Sequence, residues 1–384
     1  MDFSIKMLEL SNSVEHAVYN YLLINSLKYL IHHSFISLYY LIEHKGVQYY
    51  LRLDMFKNKL AVLFTCLSVF SFSAQSGSFD TVTLGSKGGI QDGNLTAFLI
   101  KSEADSNFVM LDAGSVVNGL IVSEQKGAFK DIIVPDSSPY TKVGYLLKDR
   151  IKGYFISHAH LDHVAGLIIS SPDDSKKPIY GLAATNKDLM KNYFNWSAWP
   201  NFGNKGEGFK LSKYNYVDLQ PGAWSSIAET TMSVMLLPLS HSGGQSTVFI
   251  LKDSEGDVFA YFGDTGPDEV EKSSAMKTAW SALASFVKQG KLKGIIIEVS
   301  FTNETPDKSL FGHLTPNWLV KELRVLEGMN GKGSLNDLNV AISHIKYSLK
   351  NSEDPKIIIQ KQLAEANNLG VNFIFPEQGD SLQF

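Results

Sequence analysis

Residues 153–163 read Gly-Tyr-Phe-Ile-Ser-His-Ala-His-Leu-Asp-His, so an apolar strand runs directly into four potential metal ligands. His158 and His160 are two residues apart on an extended segment, and their side chains therefore project to the same side. Asp162 and His163 follow at the turn into a predicted helix and point from a different direction. The loop offers two pairs of ligands to two neighbouring positions.

Three further side chains are placed in a similar way. His241, Asp264 and His344 each lie just beyond a short apolar segment that we predict as a strand. One such residue is usually structural, but that explanation does not account for five of the six histidines beyond residue 54 lying at strand exits. Imidazole and carboxylate are the ligands that zinc prefers when thiolates are absent. The sequence therefore predicts a metal site at the strand ends.

Composition excludes several classes of protein. The chain has 384 residues, 44% of them hydrophobic and 19% charged, which is typical of a globular protein. Its 35 basic and 39 acidic residues give a net charge of −4, which argues against a nucleic-acid-binding protein with a broad basic face. The single cysteine excludes a disulfide framework and a zinc site made of thiolates.

Beyond residue 76 the predicted strands and helices alternate. Short apolar segments predict strands at 81–84, 95–101, 108–111, 153–157, 178–182, 231–237, 246–251, 258–262, 294–299, 339–343 and 371–374. Periodic segments predict helices at 142–149, 162–169, 186–193, 274–289, 316–327 and 354–368, with Asp162 and Thr315 as N-caps. Residues 196–224 predict a long loop. This order favours one α/β domain at 77–384, with two packed sheets and helices outside.

Residues 55–76 have the pattern of a secretory signal peptide. A basic start precedes an apolar run at 60–72, and cleavage is expected after Ser73 or Ser76. The run is shorter than the ~20 residues that span a membrane. A buried helix and a lipid anchor at Cys66 are the alternatives. We expect a periplasmic or secreted protein with no stable membrane association after cleavage.

Residues 1–54 differ in composition from the rest of the chain. They contain seven of the 16 tyrosines and four of the ten histidines. We interpret them as a non-native upstream extension, with Met55 as the true start, or as a disordered N-terminus. A real amphipathic N-terminal helix is the alternative.

The string from His158 to Pro172 resembles the signature of class II 3′,5′-cyclic-nucleotide phosphodiesterases. Its first part, His-x-His-x-Asp-His, is the metal motif of the metallo-β-lactamase fold and marks only the superfamily, whereas the longer string is more specific. Residues 84–94, 111–114, 297–301, 312–316 and 343–346 also fit the family, and the loop at 196–224 does not. The resemblance implies an α/β fold of the four-layer αββα sandwich type with two Zn²⁺ ions per chain, other divalent metals being left open.

The resemblance also implies how the ligands divide. One ion would be held by His158, His160 and His241, the other by Asp162, His163 and His344, and Asp264 would bridge them. Zinc lowers the pKa of bound water from 15.7 to about 7, so a nucleophile would exist at neutral pH.

The implied reaction is hydrolysis of the 3′ ester of cyclic AMP, and of cyclic GMP as a second substrate, to the 5′-monophosphate. A bridging hydroxide would attack phosphorus, His313 would protonate the leaving oxygen, and Glu298 would hold the donating tautomer. Asp162 is counted as catalytic as well as a ligand. Lys346 is expected either to contact phosphate or to be a solvated surface lysine, and Asp112 to orient a ligand.

Two other functions are kept as alternatives. One is another hydrolase of the same fold, namely an RNA-processing nuclease, a lactonase or an arylsulfatase. The other is a non-catalytic nucleotide-binding protein, which would be expected to have lost ligands. We expect a small cyclic nucleotide as the binding partner and no nucleic acid, because the chain lacks a basic patch. A homodimer is left open.

Overall fold

The computed structural model describes residues 78–384 and, as strands only, 35–44 and 47–56. The chain divides into two units, 1–75 and 76–384. In the first unit β1 (Phe35–His44) pairs antiparallel with β2 (Val47–Phe56), so the alternative of an N-terminal helix does not hold for these residues. The signal segment, beyond its first two residues, lies outside the described residues. It remains a prediction, as does the upstream extension.

The second unit contains sixteen strands and eight α-helices among the residues described. The strands are β3 (Phe79–Gly85), β4 (Lys87–Gly88), β5 (Ala97–Ser102), β6 (Phe108–Leu111), β7 (Ile151–Phe155), β8 (Lys177–Gly181), β9 (Tyr214–Asp218), β10 (Ser225–Ser226), β11 (Ser233–His241), β12 (Gly244–Lys252), β13 (Val258–Phe262), β14 (Leu292–Glu298), β15 (Asn339–Ser343), β16 (Ile345–Lys346), β17 (Asn372–Ile374) and β18 (Ser381–Gln383). The helices are α1 (Val117–Gln125), α2 (Lys142–Tyr145), α3 (Leu161–Ser170), α4 (Ala183–Asn192), α5 (Asp268–Glu271), α6 (Ala275–Lys288), α7 (Pro316–Asn330) and α8 (Pro355–Ala366).

Two seven-stranded sheets form the centre of this unit. Their strand orders are β18-β3-β5-β6-β7-β8-β9 and β10-β11-β12-β13-β14-β15-β17. Each sheet is antiparallel at one end and parallel at the other, with β6 to β9 parallel in the first sheet and β13, β14, β15 and β17 parallel in the second. Parallel strands end at the same edge, and side chains from several strand ends therefore meet there.

Side chains that alternate between the two faces of each strand form three apolar layers, one between the sheets and one on each outer face. In β14, Ile296 lies in the core between the sheets, whereas Ile295 and Ile297 pack on the outer side. In β5, Phe98 faces the other sheet and Leu99 faces outward. Successive side chains of a strand point to opposite faces, and strands that are apolar on both faces must be covered on both.

Helices cover both outer faces. Leu120 of α1, Leu167 of α3 and Leu189 of α4 pack on the first sheet, and Trp280 of α6 and Leu323 of α7 pack on the second. The layers are therefore helix, sheet, sheet and helix, which confirms the predicted αββα sandwich. Among the helices of the described part, none has both the length and the apolar character needed to span a bilayer.

Local predictions were right at one helix start and wrong at another. Thr315 caps α7, since its hydroxyl accepts a hydrogen bond from the Trp318 backbone N–H. Asp162 is not an N-cap, because α3 begins at Leu161 and its cap position is His160. The Asp162 carboxylate instead accepts a hydrogen bond of 2.7 Å from the Gly89 backbone N–H. The predicted helix at 142–149 is α-helical only over its first turn, and residues 146–150 are π-helical.

Candidate metal centre

The structure brings all seven predicted ligands to one edge of the sandwich. They come from the loop after β7, the first turn of α3, the end of β11 and the residues that follow β13 and β15: His158, His160, Asp162, His163, His241, Asp264 and His344. All seven occur in groups of three or four whose ligand atoms lie within 4.8 Å of one another. Residues up to 186 positions apart in the sequence therefore meet in space.

One carboxylate oxygen lies at the middle of the cluster. Asp264 Oδ2 is 3.2 Å from Nε2 of His344, 3.3 Å from Nε2 of His163, 3.7 Å from Nε2 of His158 and 3.9 Å from Nε2 of His241. Asp264 is 2% exposed. A single oxygen that faces four imidazole nitrogens has the position expected of a ligand shared by two ions.

The remaining two predicted ligands, His160 and Asp162, belong to two different groups. Nδ1 of His160 lies 3.3 Å from Nε2 of His241, and Oδ2 of Asp162 lies 3.2 Å from Nε2 of His344. One group consists of His158, His160, His241 and Asp264, and the other of Asp162, His163 and His344. The six other side chains divide as predicted, but Asp264, which was predicted to be shared, falls in the first of these two groups; the assignment of an ion to each group remains a prediction.

Hydrogen bonds to Nδ1 fix the orientation of four imidazole rings. The Nδ1 partners are Ser157 Oγ for His158 (3.0 Å), Asp112 Oδ2 for His163 (2.8 Å), the Gly312 carbonyl for His241 (2.8 Å) and Ser300 Oγ for His344 (2.9 Å). An imidazole that donates from Nδ1 keeps the lone pair of Nε2 for a metal. All four rings therefore turn Nε2, the nitrogen left for a metal, towards Asp264.

The charge states of the histidines suit metal binding. Burial lowers the pKa of His158, His160 and His241, so the neutral rings that bind metals are present at pH 7. Burial also acts to lower the pKa of His163, but Asp264 and Asp112 raise it well above its usual value. An incoming cation must displace the proton of His163, and metal affinity should therefore rise with pH.

Unsatisfied buried atoms give an independent test of whether a cation fits. Nε2 of His158 is buried and has no hydrogen-bond partner in the described part of the chain, and Nε2 of His163 is buried with only a 3.3 Å approach to Asp264 Oδ2. Leaving a buried polar atom unpaired costs about 1–3 kcal/mol, and such atoms normally have a partner. Both atoms face Asp264, so a divalent cation at this position would satisfy them. The nitrogen and carboxylate donors are those that zinc accepts.

Asp112 is the residue that organises this side of the site. It is fully buried, and its carboxylate accepts hydrogen bonds from the Ser157 backbone N–H (2.7 Å), the Ser157 hydroxyl (2.7 Å), His163 Nδ1 (2.8 Å) and the Tyr261 hydroxyl (2.6 Å). The sequence suggested Asp112 as an orienting residue. It gave no signal for Ser157, Tyr261 or Ser300, because hydroxyl groups are common and their role here depends on long-range contacts.

Beside the seven ligands lies a second titratable group. His313 Nδ1 is 2.8 Å from Glu298 Oε1, and Lys346 Nζ is 2.9 Å from the opposite ring nitrogen, His313 Nε2. Burial alone would lower the pKa of His313, but Glu298 raises it above the usual value. Burial alone would raise the pKa of Glu298, but His313 lowers it. The pairing of Lys346 with His313 was not predicted.

His313 is close enough to Asp264 to be considered as a ligand. Its Nδ1 is 3.8 Å from Asp264 Oδ2, and Asp264, His313 and His344 form a third group of clustered atoms. That nitrogen, however, is already bonded to Glu298, which also accepts hydrogen bonds from the backbone N–H groups of Thr265 and Ser300. The bond to Glu298 makes Nδ1 of His313 less available to a metal, and the role of His313 in proton transfer remains a prediction.

A cavity of about 800 Å³ opens over the cluster. Its lining includes the polar side chains of His160, Asp162, Asp264, His313 and Lys346. Ligand sites for small molecules have volumes of about 300–1,000 Å³. The cavity therefore suits a ligand of nucleotide size whose reacting group contacts the polar floor.

Known proteins similar to this chain form one consistent group. A family model for class-II cAMP phosphodiesterases matches residues 76–379. A 3′,5′-cyclic-nucleotide phosphodiesterase of Aliivibrio fischeri is 94% identical over 330 residues, which are 86% of this chain and 100% of that protein. A probable 3′,5′-cyclic-nucleotide phosphodiesterase of Yersinia pestis is 46% identical over 333 residues, which are 86% of this chain and 97% of that protein.

Solved structures show the same fold. Unliganded yeast PDE1 has a TM-score of 0.67 at 24% sequence identity, covering 80% of this chain and 100% of that chain. A metallo-beta-lactamase-fold protein from Bacillus subtilis has a TM-score of 0.51 at 14% identity, covering 79% of this chain and 99% of that chain. The region matched by the family model, residues 76–379, contains every residue of the cluster and all strands of the two sheets except β18, and the chain belongs to the class-II cyclic AMP phosphodiesterase family.

Proposed function

We propose that the chain hydrolyses 3′,5′-cyclic nucleotides, cyclic AMP first among them, to nucleoside 5′-monophosphates with two zinc ions in the cluster. One observation carries the proposal: the hydrogen-bonded row Glu298–His313–Lys346 lies directly beside the seven ligand side chains in a cavity of nucleotide size. The relatives named as cyclic-nucleotide phosphodiesterases support the choice of substrate.

The chain's own residues account for the proton transfer. Bound divalent ions would supply a water of lowered pKa and offset the negative charge of the phosphoryl group. Water adds to phosphorus, the bond to the 3′-oxygen breaks, and His313 gives its proton to that oxygen. Glu298 accepts from Nδ1 and so keeps the His313 ring turned with Nε2 towards the cavity. Lys346 Nζ is close enough to His313 to donate to a non-bridging phosphate oxygen at the same place.

A product assay combined with metal analysis tests this proposal. The purified protein is expected to contain about two zinc ions per chain and to convert cyclic AMP to 5′-AMP, with a slower or comparable reaction on cyclic GMP. A chelator should abolish turnover, and added zinc should restore it. 2′,3′-Cyclic AMP, tRNA precursor and a lactone serve as comparison substrates. A zinc-loaded protein that leaves both 3′,5′-cyclic nucleotides intact would refute the substrate assignment.

We also propose that the protein is exported, either to the periplasm or out of the cell. Residues 55–76 support this with their basic start, apolar run and small residues before the domain. Mass spectrometry of the protein from an osmotic-shock fraction should find Ala74 or Gly77 at the N-terminus. Recovery of the chain in the cytosolic fraction with residues 55–76 still attached would contradict export.

A further inference from the structure

Three large apolar side chains lie at the mouth of the cavity and have no role in the chemistry above. Ile90, Leu161 and Phe311 line the cavity, and they are 61%, 61% and 66% exposed. Single exposed apolar residues are ordinary on a protein surface, but three that border one cavity with a polar floor are typical of a ligand site. These side chains are therefore available to contact the part of a ligand that is not phosphate.

Two of the three are held in place by the metal centre itself. Ile90 follows Gly89, whose backbone N–H donates a hydrogen bond of 2.7 Å to Asp162 Oδ2. Leu161 lies between the two ligands His160 and Asp162 in the sequence. The backbone that carries both apolar side chains is therefore anchored next to the cluster.

Phe311 is presented by an unusual turn. Its φ is +50°, in the left-handed region that residues with a Cβ rarely adopt, and Gly312 follows with φ +76°. The Gly312 carbonyl accepts the hydrogen bond from His241 Nδ1, so the turn is tied to the ligand set. Phe311 is two-thirds exposed, and no ring contact that involves it is found within residues 78–384. Backbone strain that persists at a site is an indication of function.

A cyclic nucleotide needs such a surface. Its phosphodiester is polar and matches the floor formed by His313, Lys346 and the ligands, whereas its base is flat with two apolar faces. We propose that the purine base of the substrate stacks on Phe311, with Ile90 and Leu161 forming the apolar remainder of the base-binding subsite. This inference rests on the proposed function for the identity of the ligand. It adds the residues that recognise the base, which neither the metal cluster nor His313 provides.

The test compares substrates with and without a base. Phe311→Ala is expected to raise KM for cyclic AMP by about 5- to 100-fold, the range that corresponds to loss of one base–aromatic stack, with kcat nearly unchanged. On ribose 3′,5′-cyclic phosphate, which lacks the base, the variant and the parent protein should have equal kcat/KM. Phe311→Tyr keeps the ring and should retain parental KM. Phe209 is another exposed aromatic residue, and it does not line this cavity. Phe209→Ala is therefore the matched control and should leave kcat and KM unchanged for both substrates.

Two results would overturn the inference. An equal loss of kcat/KM on both substrates would mean that Phe311 maintains the shape of the turn and does not bind the base. An unchanged KM for cyclic AMP would mean that Phe311 makes no contact with the substrate. Equilibrium binding of 5′-AMP and cyclic AMP by calorimetry gives a readout independent of turnover. If the parent protein binds cyclic AMP in a Phe311-dependent way but does not hydrolyse it, the subsite stands and only the proposed function fails. Absence of binding by the parent protein would overturn the subsite.

Discussion

Asp264→Ala is expected to lose both metal ions and to lower kcat/KM for cyclic AMP by about 10⁴-fold or more. Asp264 Oδ2 lies within 3.2–3.9 Å of four imidazole nitrogens, so one substitution removes a donor from both halves of the site. Bound divalent ions would lower the pKa of a water in the site, and without them little hydroxide would be available at neutral pH. Metal content by plasma emission spectroscopy and steady-state kinetics on the same sample measure the two effects.

Two further variants make this prediction specific. Asp264→Asn keeps the size of the side chain but removes its charge, so it should also lose metal while leaving the surrounding packing intact. Asp136→Ala removes an exposed aspartate outside the cluster and should keep both ions and full activity. Near-ultraviolet circular dichroism checks that each variant is folded. If Asp264→Ala kept two ions per chain, the bridging role would be wrong.

Much of the fold could be predicted because its strands are short, apolar and bounded by turn residues. The strands at 108–111, 258–262 and 339–343 were predicted with their observed bounds. Helix α1 was not predicted. It contains Gly119, a poor helix former, and a Cβ at this glycine would meet the Leu84 carbonyl oxygen at 2.4 Å. Close packing against β3 therefore dictates the glycine, which local sequence does not reveal.

The predicted loop at 196–224 was partly wrong. It contains strand β9, Tyr214–Asp218, which pairs in parallel with β8 at the edge of the first sheet. Tyr214 and Tyr216 are buried while Asn215 between them is exposed, so the segment does alternate as a strand should. Five residues in a region rich in glycine, asparagine and aromatic residues gave too weak a pattern, and the neighbouring strand supplies the pairing.

The candidate metal ligands were easier to predict from the sequence than the residues that hold them in place. Metal ligands are rare residue types at strand exits, so His158, His241 and His344 stand out in the sequence. Ser300 does not, although its hydroxyl lies 2.9 Å from His344 Nδ1 and donates a hydrogen bond of 2.7 Å to Glu298 Oε2. Its role arises only when β14 and β15 are adjacent. Contacts of this kind depend on tertiary structure, and no spacing rule identifies them.

His313→Gln is expected to lower kcat on cyclic AMP by about 10²–10⁴-fold while both metal ions stay bound. The 3′-oxygen would leave as an alkoxide, which is unfavourable without a proton, and general acids contribute about this factor. Glu298 Oε1 holds Nδ1 of the ring at 2.8 Å, and Nε2, which lies 2.9 Å from Lys346 Nζ in this structure, is the nitrogen that would carry the donated proton. Kinetics and metal content on the same preparation separate this loss from that of Asp264→Ala. Loss of metal together with rate would make His313 a ligand instead.

The leaving group and the pH profile distinguish an acid from a structural residue. On a p-nitrophenyl phosphodiester, whose leaving group departs as a stable anion, His313→Gln should lose much less rate than on cyclic AMP. Glu298 raises the pKa of His313, and the protonated donor present below that pKa is lost as the pH rises through it. Activity of the parent protein should therefore fall as the pH rises through the pKa of His313, which lies above that of a free histidine. Glu298→Gln should move this fall to lower pH, and His313→Gln should remove it. If the fall in activity at high pH were the same in both variants as in the parent protein, the proton would come from another donor, and Lys346 is the nearest candidate.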